Sequence, residues 1–270
     1  MRCIFCKAES SASRSIEHIL PESIGNSKLL LPKGVVCDKC NNYFAKAVEK
    51  PFLEAEAVRQ MRFHEGLPSK KGRVPSIVGL LDPDVPVRLF RDAKDRALSA
   101  AVPTEHFGRL AERPEGRLLM PMGGAPPSGT VLSRFFAKVA TESMAARLTY
   151  DPRLLEQFID DPQLDPLRNH ARRGQPLDWS VHVRRIYPAN ARTLGPDGSW
   201  GQVMHESDFL VTPRQEIYFA QAIFGIEYTI NIGGPDVDGY LEWLDANNQA
   251  SPLYAPKNLE LYEMPAPRPG

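Results

Sequence analysis

Two pairs of cysteines, Cys3-x-x-Cys6 and Cys37-x-x-Cys40, account for all four cysteines of the chain, with residues 7–36 between them. Two such knuckles supply the four thiolates of a tetrahedral structural zinc. A C-x-x-C redox site is one alternative, but it calls for a βαβ setting that the proline-flanked segment here does not offer. Four unrelated buried thiols are another, and they leave the matched spacing without a reason. Between the pairs, SIEHILP (15–21) sets a carboxylate, Glu17, beside a histidine, His18, on an apolar-flanked extended stretch closed by Pro21. An imidazole titrating near 6.5 can take up a proton at physiological pH. Asn41 follows the second pair at once.

The rest of the chain has to position these groups, and its composition bounds how. At 270 residues, 42% hydrophobic and 24% charged, it is long enough for one large domain or for a small one plus a larger one. Lys plus Arg equals Asp plus Glu at 33 each, so only local charge can attract nucleic acid. No window approaches the roughly 20 apolar residues that cross a bilayer, and no apolar run of signal-peptide length opens the chain. The expectation is a cytoplasmic protein without a membrane partner, in a compartment where thiols serve metals better than disulfides. Proline is abundant, 25 residues, which favours turns and broken elements over long helices.

All cysteines fall in a first unit, 1–66, whose end reads as helix around Pro51 (48–63). LPSKKGRVP (67–75) reads as a basic linker. A second unit, 75–262, reads as mixed α+β. IVGLL and VPVRLF flank the turn DPD (82–84) as a hairpin, and RLLMPM (117–122) reads as a strand. In LSRFFAKVATESMAARL (132–148), Leu132, Phe135, Phe136, Val139, Ser143, Met144 and Leu148 recur at helical spacing, the pattern of a core helix. Residues 151–174 alternate short helices with proline breaks, and 179–188 and 216–235 have the aromatic and β-branched content of strands. The tail EMPAPRPG reads as disordered. The fold class is therefore α+β, a small zinc-stapled unit followed by a larger mixed domain.

Taken in order, Cys3-Cys6, then Glu17-His18-Ile19-Leu20-Pro21, then Cys37-Cys40-Asn41 resembles the HNH endonucleases, the ββα-metal nucleases, in their zinc-bearing branch. The resemblance covers roughly residues 1–50. It implies a β-hairpin leading into a helix, with zinc on Cys3, Cys6, Cys37 and Cys40 stapling the two, because about 50 residues hold too little core to fix that geometry alone. It further implies that Asn41 and Glu17 hold a second, catalytic divalent ion, magnesium or manganese by their oxygen ligands. His18 is then the general base that activates water against a DNA phosphodiester. Glu17 stands where the family more often has Asp. At the usual place of the middle Asn of the motif this chain has Leu30, Leu31 and Pro32, and Asn26, in IGNS, either substitutes for it or is a turn residue. Asn42 reads as a capping or solvent-facing neighbour. Lys33, Lys39, Lys46, Lys50, Lys70, Lys71 and Arg73 make the N-terminal third basic, which suits phosphate neutralisation or a merely solvated face. His64, His106, His170, His182 and His205 carry no comparable context. Arg172 and Arg173 fit a ligand, a partner or a sheet edge.

Two classes of function follow. One is a metal-dependent DNA endonuclease, with the second unit supplying substrate choice, homodimerisation or regulation, in the family's frequent setting of restriction or phage defence with its partner proteins. The other is a non-catalytic zinc module that binds nucleic acid or protein and has no need of the Glu-His pair.

Overall fold

The structure, a computed structural model, describes residues 1–81, 84–112, 115–175, 179–188, 191, 193–194, 200–201 and 205–253. The tail and part of the DPD turn expected from sequence lie outside these residues. In chain order, two short strands, β1 (Glu17–His18) and β2 (Leu30–Leu31), pair antiparallel with Glu17 opposite Leu31 and His18 opposite Leu30. The chain then enters α1 (Asp38–Phe44). A π-helical segment, Ala45–Glu49, continues α1 into α2 (Lys50–Glu54), and α3 (Glu56–His64) follows a break at Ala55. Pro51, which has no N–H to donate, lies inside this continuous helix, just after the π-helical segment gives way to α2.

A four-stranded antiparallel sheet comes next, in the order β5-β4-β3-β6. Its strands are β3 (Ile77–Leu81), β4 (Val85–Arg91), β5 (Leu98–Ala101) and, after the short α4 (Phe107–Ala111), β6 (Leu118–Leu119). The expected hairpin is β3 with β4; of RLLMPM only Leu118 and Leu119 pair, because Pro121 lacks a ladder donor. Ile77, Val85, Val87 and Leu89 alternate inward and bury Phe63 of α3 in a small separate core.

The long helix α5 (Gly129–Leu148) is buried on most of its circumference. α6 (Pro152–Asp160) and α7 (Asp165–Arg173) pack beside it, each with proline in its first turn. A second antiparallel sheet, β10-β11-β12-β7, is built from β7 (Val181–Arg185) and, after the small ribbon β8 (Thr193–Leu194) and β9 (Trp200–Gly201), β10 (His205–Val211), β11 (Ile217–Ile223) and β12 (Ile226–Asn231). Period-two alternation sorts β11: Phe219 and Ile223 join the main core, while Tyr218 packs with α8 (Asp238–Ala246) on the other face.

The main core joins the N-terminal segment to α5 and this sheet. Phe5, Ile19, Leu31, Phe44 and Phe52 belong to the same cluster as Phe135, Phe136, Phe219 and Ile230. Phe52 stacks on Phe135 with ring centroids 3.8 Å apart, and Phe136 stacks on Tyr228 at 4.5 Å. An aromatic column thus runs from α2 through α5 to β12, and it sets α5 directly beneath the β1–β2 hairpin. Among the described residues no helix is long and apolar enough to cross a membrane.

Candidate active site

The first knuckle is a tight turn: Cys3 N–H bonds to Ala8 O at 2.9 Å and Lys7 N–H to Cys3 O at 2.9 Å, with Lys7 in the left-handed region at φ 59°. The second knuckle is a helix start. Cys37 is the N-cap of α1, its Sγ accepting from Cys40 N–H at 3.4 Å, and Cys37 N–H in turn points at Cys3 Sγ at 3.4 Å. All four Sγ atoms lie within 4.8 Å of one another, with Cys6 and Cys37 at 3.7 Å. Tetrahedral zinc with bonds of about 2.3 Å places its sulfurs about 3.8 Å apart, so the donor set fits the ion in type, number and spacing. The Cys3–Cys40 hydrogen bond lowers the Cys3 thiol to about 4 and pushes Cys40 up, and burial pushes Cys6 up. Four thiolates so close are stable together only around a cation.

The zinc knuckles fix where α1 starts, and α1 fixes the hairpin. Asp38, in the first turn of α1, accepts hydrogen bonds from Arg14 N–H (3.1 Å), Ser15 N–H (2.9 Å) and the Ser15 hydroxyl, and these contacts hold its carboxyl below the usual range. The next residues of that strand, Ile16 to His18, are thereby laid along α1, and Asn41 Nδ2 reaches Ile16 O at 3.4 Å. Glu17, His18 and Asn41 line one cleft of about 250 Å³, together with Glu22, Glu49 and Lys70. His18 Nε2 is 3.3 Å from Glu22 Oε1, while His18 Nδ1 and Glu17 Oε2 are both buried with no hydrogen-bond partner among the described residues. Both residues line the cleft, and a carboxylate oxygen buried without a partner is costly, which fits a bound cation beside Glu17.

Asn26 lies in the loop between the strands and is buried. Its Nδ2 donates to Leu20 O (2.6 Å) and Leu29 O (3.1 Å), and its Oδ1 accepts from Lys28 N–H (3.0 Å) and Leu29 N–H (2.8 Å). Every bond goes to the backbone of the hairpin loop. Asn26 therefore shapes the turn that carries the Glu17-His18 strand, and it does not line the cleft. Asn42 is exposed and bonds back to Asp38 O at 2.9 Å, a solvent-facing helix residue.

Sequence reasoning passed over Lys138. From α5 its ammonium, with no exposed surface, reaches Glu17 Oε1 at 2.8 Å, Glu49 Oε1 at 2.9 Å and Glu142 Oε2 at 2.9 Å, and also donates to His18 O at 3.1 Å. Burial alone would lower this lysine, but the surrounding carboxylates outweigh it and keep the group charged. Burial pushes Glu142 well up against the pull of Lys138, and it pushes Glu17 up against the same pull. A signal was present: in FFAKVATE a lysine interrupts an otherwise apolar stretch and has a glutamate four residues on, the spacing of one helix face.

Lys39, Tyr43, Arg172 and Arg173 border a hollow of about 220 Å³ beside Cys40, so the C-terminal end of α7 lies against the zinc knuckle. Lys7 pairs with Asp165 at 2.8 Å and Arg2 with Asp160 at 2.8 Å, tying the first knuckle to the same helices. A wider cavity of about 620 Å³, between α6 and β11–β12, shares no residue with the cleft.

Residues 3–55 match a family model described as HNH endonuclease. The four-cysteine cluster inside that segment fits the zinc-bearing form of such a unit. No curated protein and no solved structure matches the chain.

Proposed function

We propose that this protein is a metal-dependent endonuclease that hydrolyses DNA phosphodiester bonds, with zinc on Cys3, Cys6, Cys37 and Cys40 as scaffold and Glu17, His18 and Asn41 as the reacting centre. The observation that carries the reading is the single cleft in which Glu17, His18 and Asn41 meet, with Glu17 Oε2 and His18 Nδ1 left unpartnered. His18 is the general base. With Nε2–H turned to Glu22 at 3.3 Å, Nδ1 would be the nitrogen that takes the proton of the attacking water, and it must be uncovered when substrate and water enter the cleft. Glu17 and the Asn41 amide oxygen would hold magnesium or manganese, which, when bound, polarises the scissile phosphate and stabilises charge on the leaving oxygen. Lys70 at the cleft rim offers a cation to a flanking phosphate. The placement in restriction or phage defence is supported by the family resemblance alone, and plating phage on cells with wild-type or His18→Ala protein tests it.

A plasmid-nicking assay with magnesium and manganese titrations tests the chemistry. His18→Ala should keep about one zinc and the wild-type melting curve while nicking falls by about 10² to 10⁴, and no metal concentration should restore it. Asn41→Ala should also lose activity, but raised metal should recover part of it, since only a ligand is missing. Were His18→Ala to nick at the wild-type rate, the site would be a zinc scaffold that binds without cutting.

A further inference from the structure

We infer that Glu49 is a third protein ligand of the divalent ion, an assignment that rests on the nuclease reading above. Glu49 lies eight residues beyond Asn41 on the same continuous helix, and both line the cleft. In a regular α-helix, at about 100° per residue, that spacing would turn Glu49 about 80° away from the Asn41 face. The segment Ala45–Glu49 is π-helical instead. With about 4.4 residues per turn it advances only about 82° per residue, and four such steps return Glu49 to within about 10° of Asn41. Single π turns inside α-helices often sit at functional sites because they re-aim side chains in this way.

The second support comes from the other side of the cleft. Lys138 Nζ touches one oxygen of Glu49 and one of Glu17, at 2.9 and 2.8 Å, so a single fixed cation joins the helix carboxylate to the strand carboxylate. Each pair uses Oε1. The second oxygen of Glu17 is buried without a hydrogen-bond partner among the described residues, and the Glu49 side chain, 16% exposed, lines the cleft. Two carboxylates held at a set spacing by an internal ammonium, with one oxygen of each left over, form with the Asn41 amide an all-oxygen set suited to magnesium or manganese, whose remaining positions go to water and phosphate.

The test is manganese binding to the full-length, zinc-loaded protein, read from the free Mn²⁺ signal by electron paramagnetic resonance, beside the nicking titration. Glu49→Gln keeps the size and one oxygen of the side chain; it should weaken manganese binding at least tenfold and raise the half-saturating metal concentration for nicking by a similar factor. Zinc content should stay at the wild-type value and the unfolding transition should stay cooperative, with a lower melting temperature reporting the weakened Glu49–Lys138 pair. Glu54→Gln, five residues further along and exposed beside Lys50, serves as control and should bind manganese as wild type does. Manganese affinity in Glu49→Gln within twofold of wild type overturns the assignment. If wild-type protein binds manganese in a Glu49-dependent way but does not nick DNA, the ligand assignment stands and the nuclease reading falls.

Discussion

Asn26 shows how one side chain can serve a site that it never touches. Its four hydrogen bonds to the hairpin loop are worth about 1 kcal/mol each, and their removal strands buried backbone groups. Asn26→Ala should therefore lose about 2–4 kcal/mol in urea unfolding of the zinc-loaded protein, and nicking should fall with the order of the Glu17-His18 strand. A loss below about 0.5 kcal/mol would mean the loop is held by other contacts. At this scale much of the site was legible. The cysteine spacing, the Glu-His pair and the Asn after the last knuckle named residues that the fold does bring together, because each depends on local chain geometry. Asn26 was half legible: Gly-Asn marks a turn, but which backbone groups its amide would meet depends on the loop's closure. Of Lys138 only the spacing to Glu142 was legible, not its burial. A lysine on a helix is normally solvated, and its burial here follows from α5 passing under a hairpin more than a hundred residues away in the chain.

Among the elements, the helix that carries Asn41 and Glu49 and the hairpin of β11 and β12 were read at their places but not in their detail. Sequence gave a helix around Pro51, whereas one helix runs from Asp38 to Glu54 through a π turn. Ala47 O, which an i+4 donor at Pro51 cannot satisfy, is approached by Arg134 Nη1 of α5 at 3.5 Å, so a tertiary contact compensates the irregularity. The β11–β12 turn, Phe224-Gly225, has both residues at positive φ, 47° and 79°, as a tight right-twisted hairpin requires. A Cβ on Gly225 would lie 3.0 Å from Tyr187 Cβ and from Tyr187 O. Gly225→Ala should cost about 1–2 kcal/mol from the left-handed backbone, with more added by that contact. Gly72→Ala, at φ 73° with open space around it, isolates the backbone part, and thermal unfolding of the two variants measures the difference. Equal losses would show that Tyr187 yields freely.

Across the whole molecule, His205 is a second link between the C-terminal sheet and the hairpin region: from β10 its Nε2 reaches Ile24 O at 2.9 Å. Burial lowers its pKa. A group depressed in the folded state contributes stability that is complete above its unfolded value, about 6.5, and is lost as pH falls toward the folded value. Wild-type protein should therefore lose more stability between pH 7.5 and 5.5 than His205→Gln, which has no proton to gain. Thermal unfolding of both at the two pH values checks this, with acid effects on the zinc thiolates common to the pair. Parallel slopes would show that His205 titrates as if exposed.

The cage around Lys138 also has a bearing on the order of events at synthesis. Glu17 leaves the ribosome first and Lys138 follows 138 − 17 = 121 residues later, which at translation rates of about 5–20 residues per second is about 6–24 s. Cys40 and Glu49 follow Glu17 within 32 residues, so for most of that interval the nascent chain holds both cysteine knuckles and can bind zinc, while Glu17 and Glu49 still lack the ammonium that joins them. The metal staple is thus an early event and the internal charge a late one, so completion of the cleft is timed by the emergence of α5.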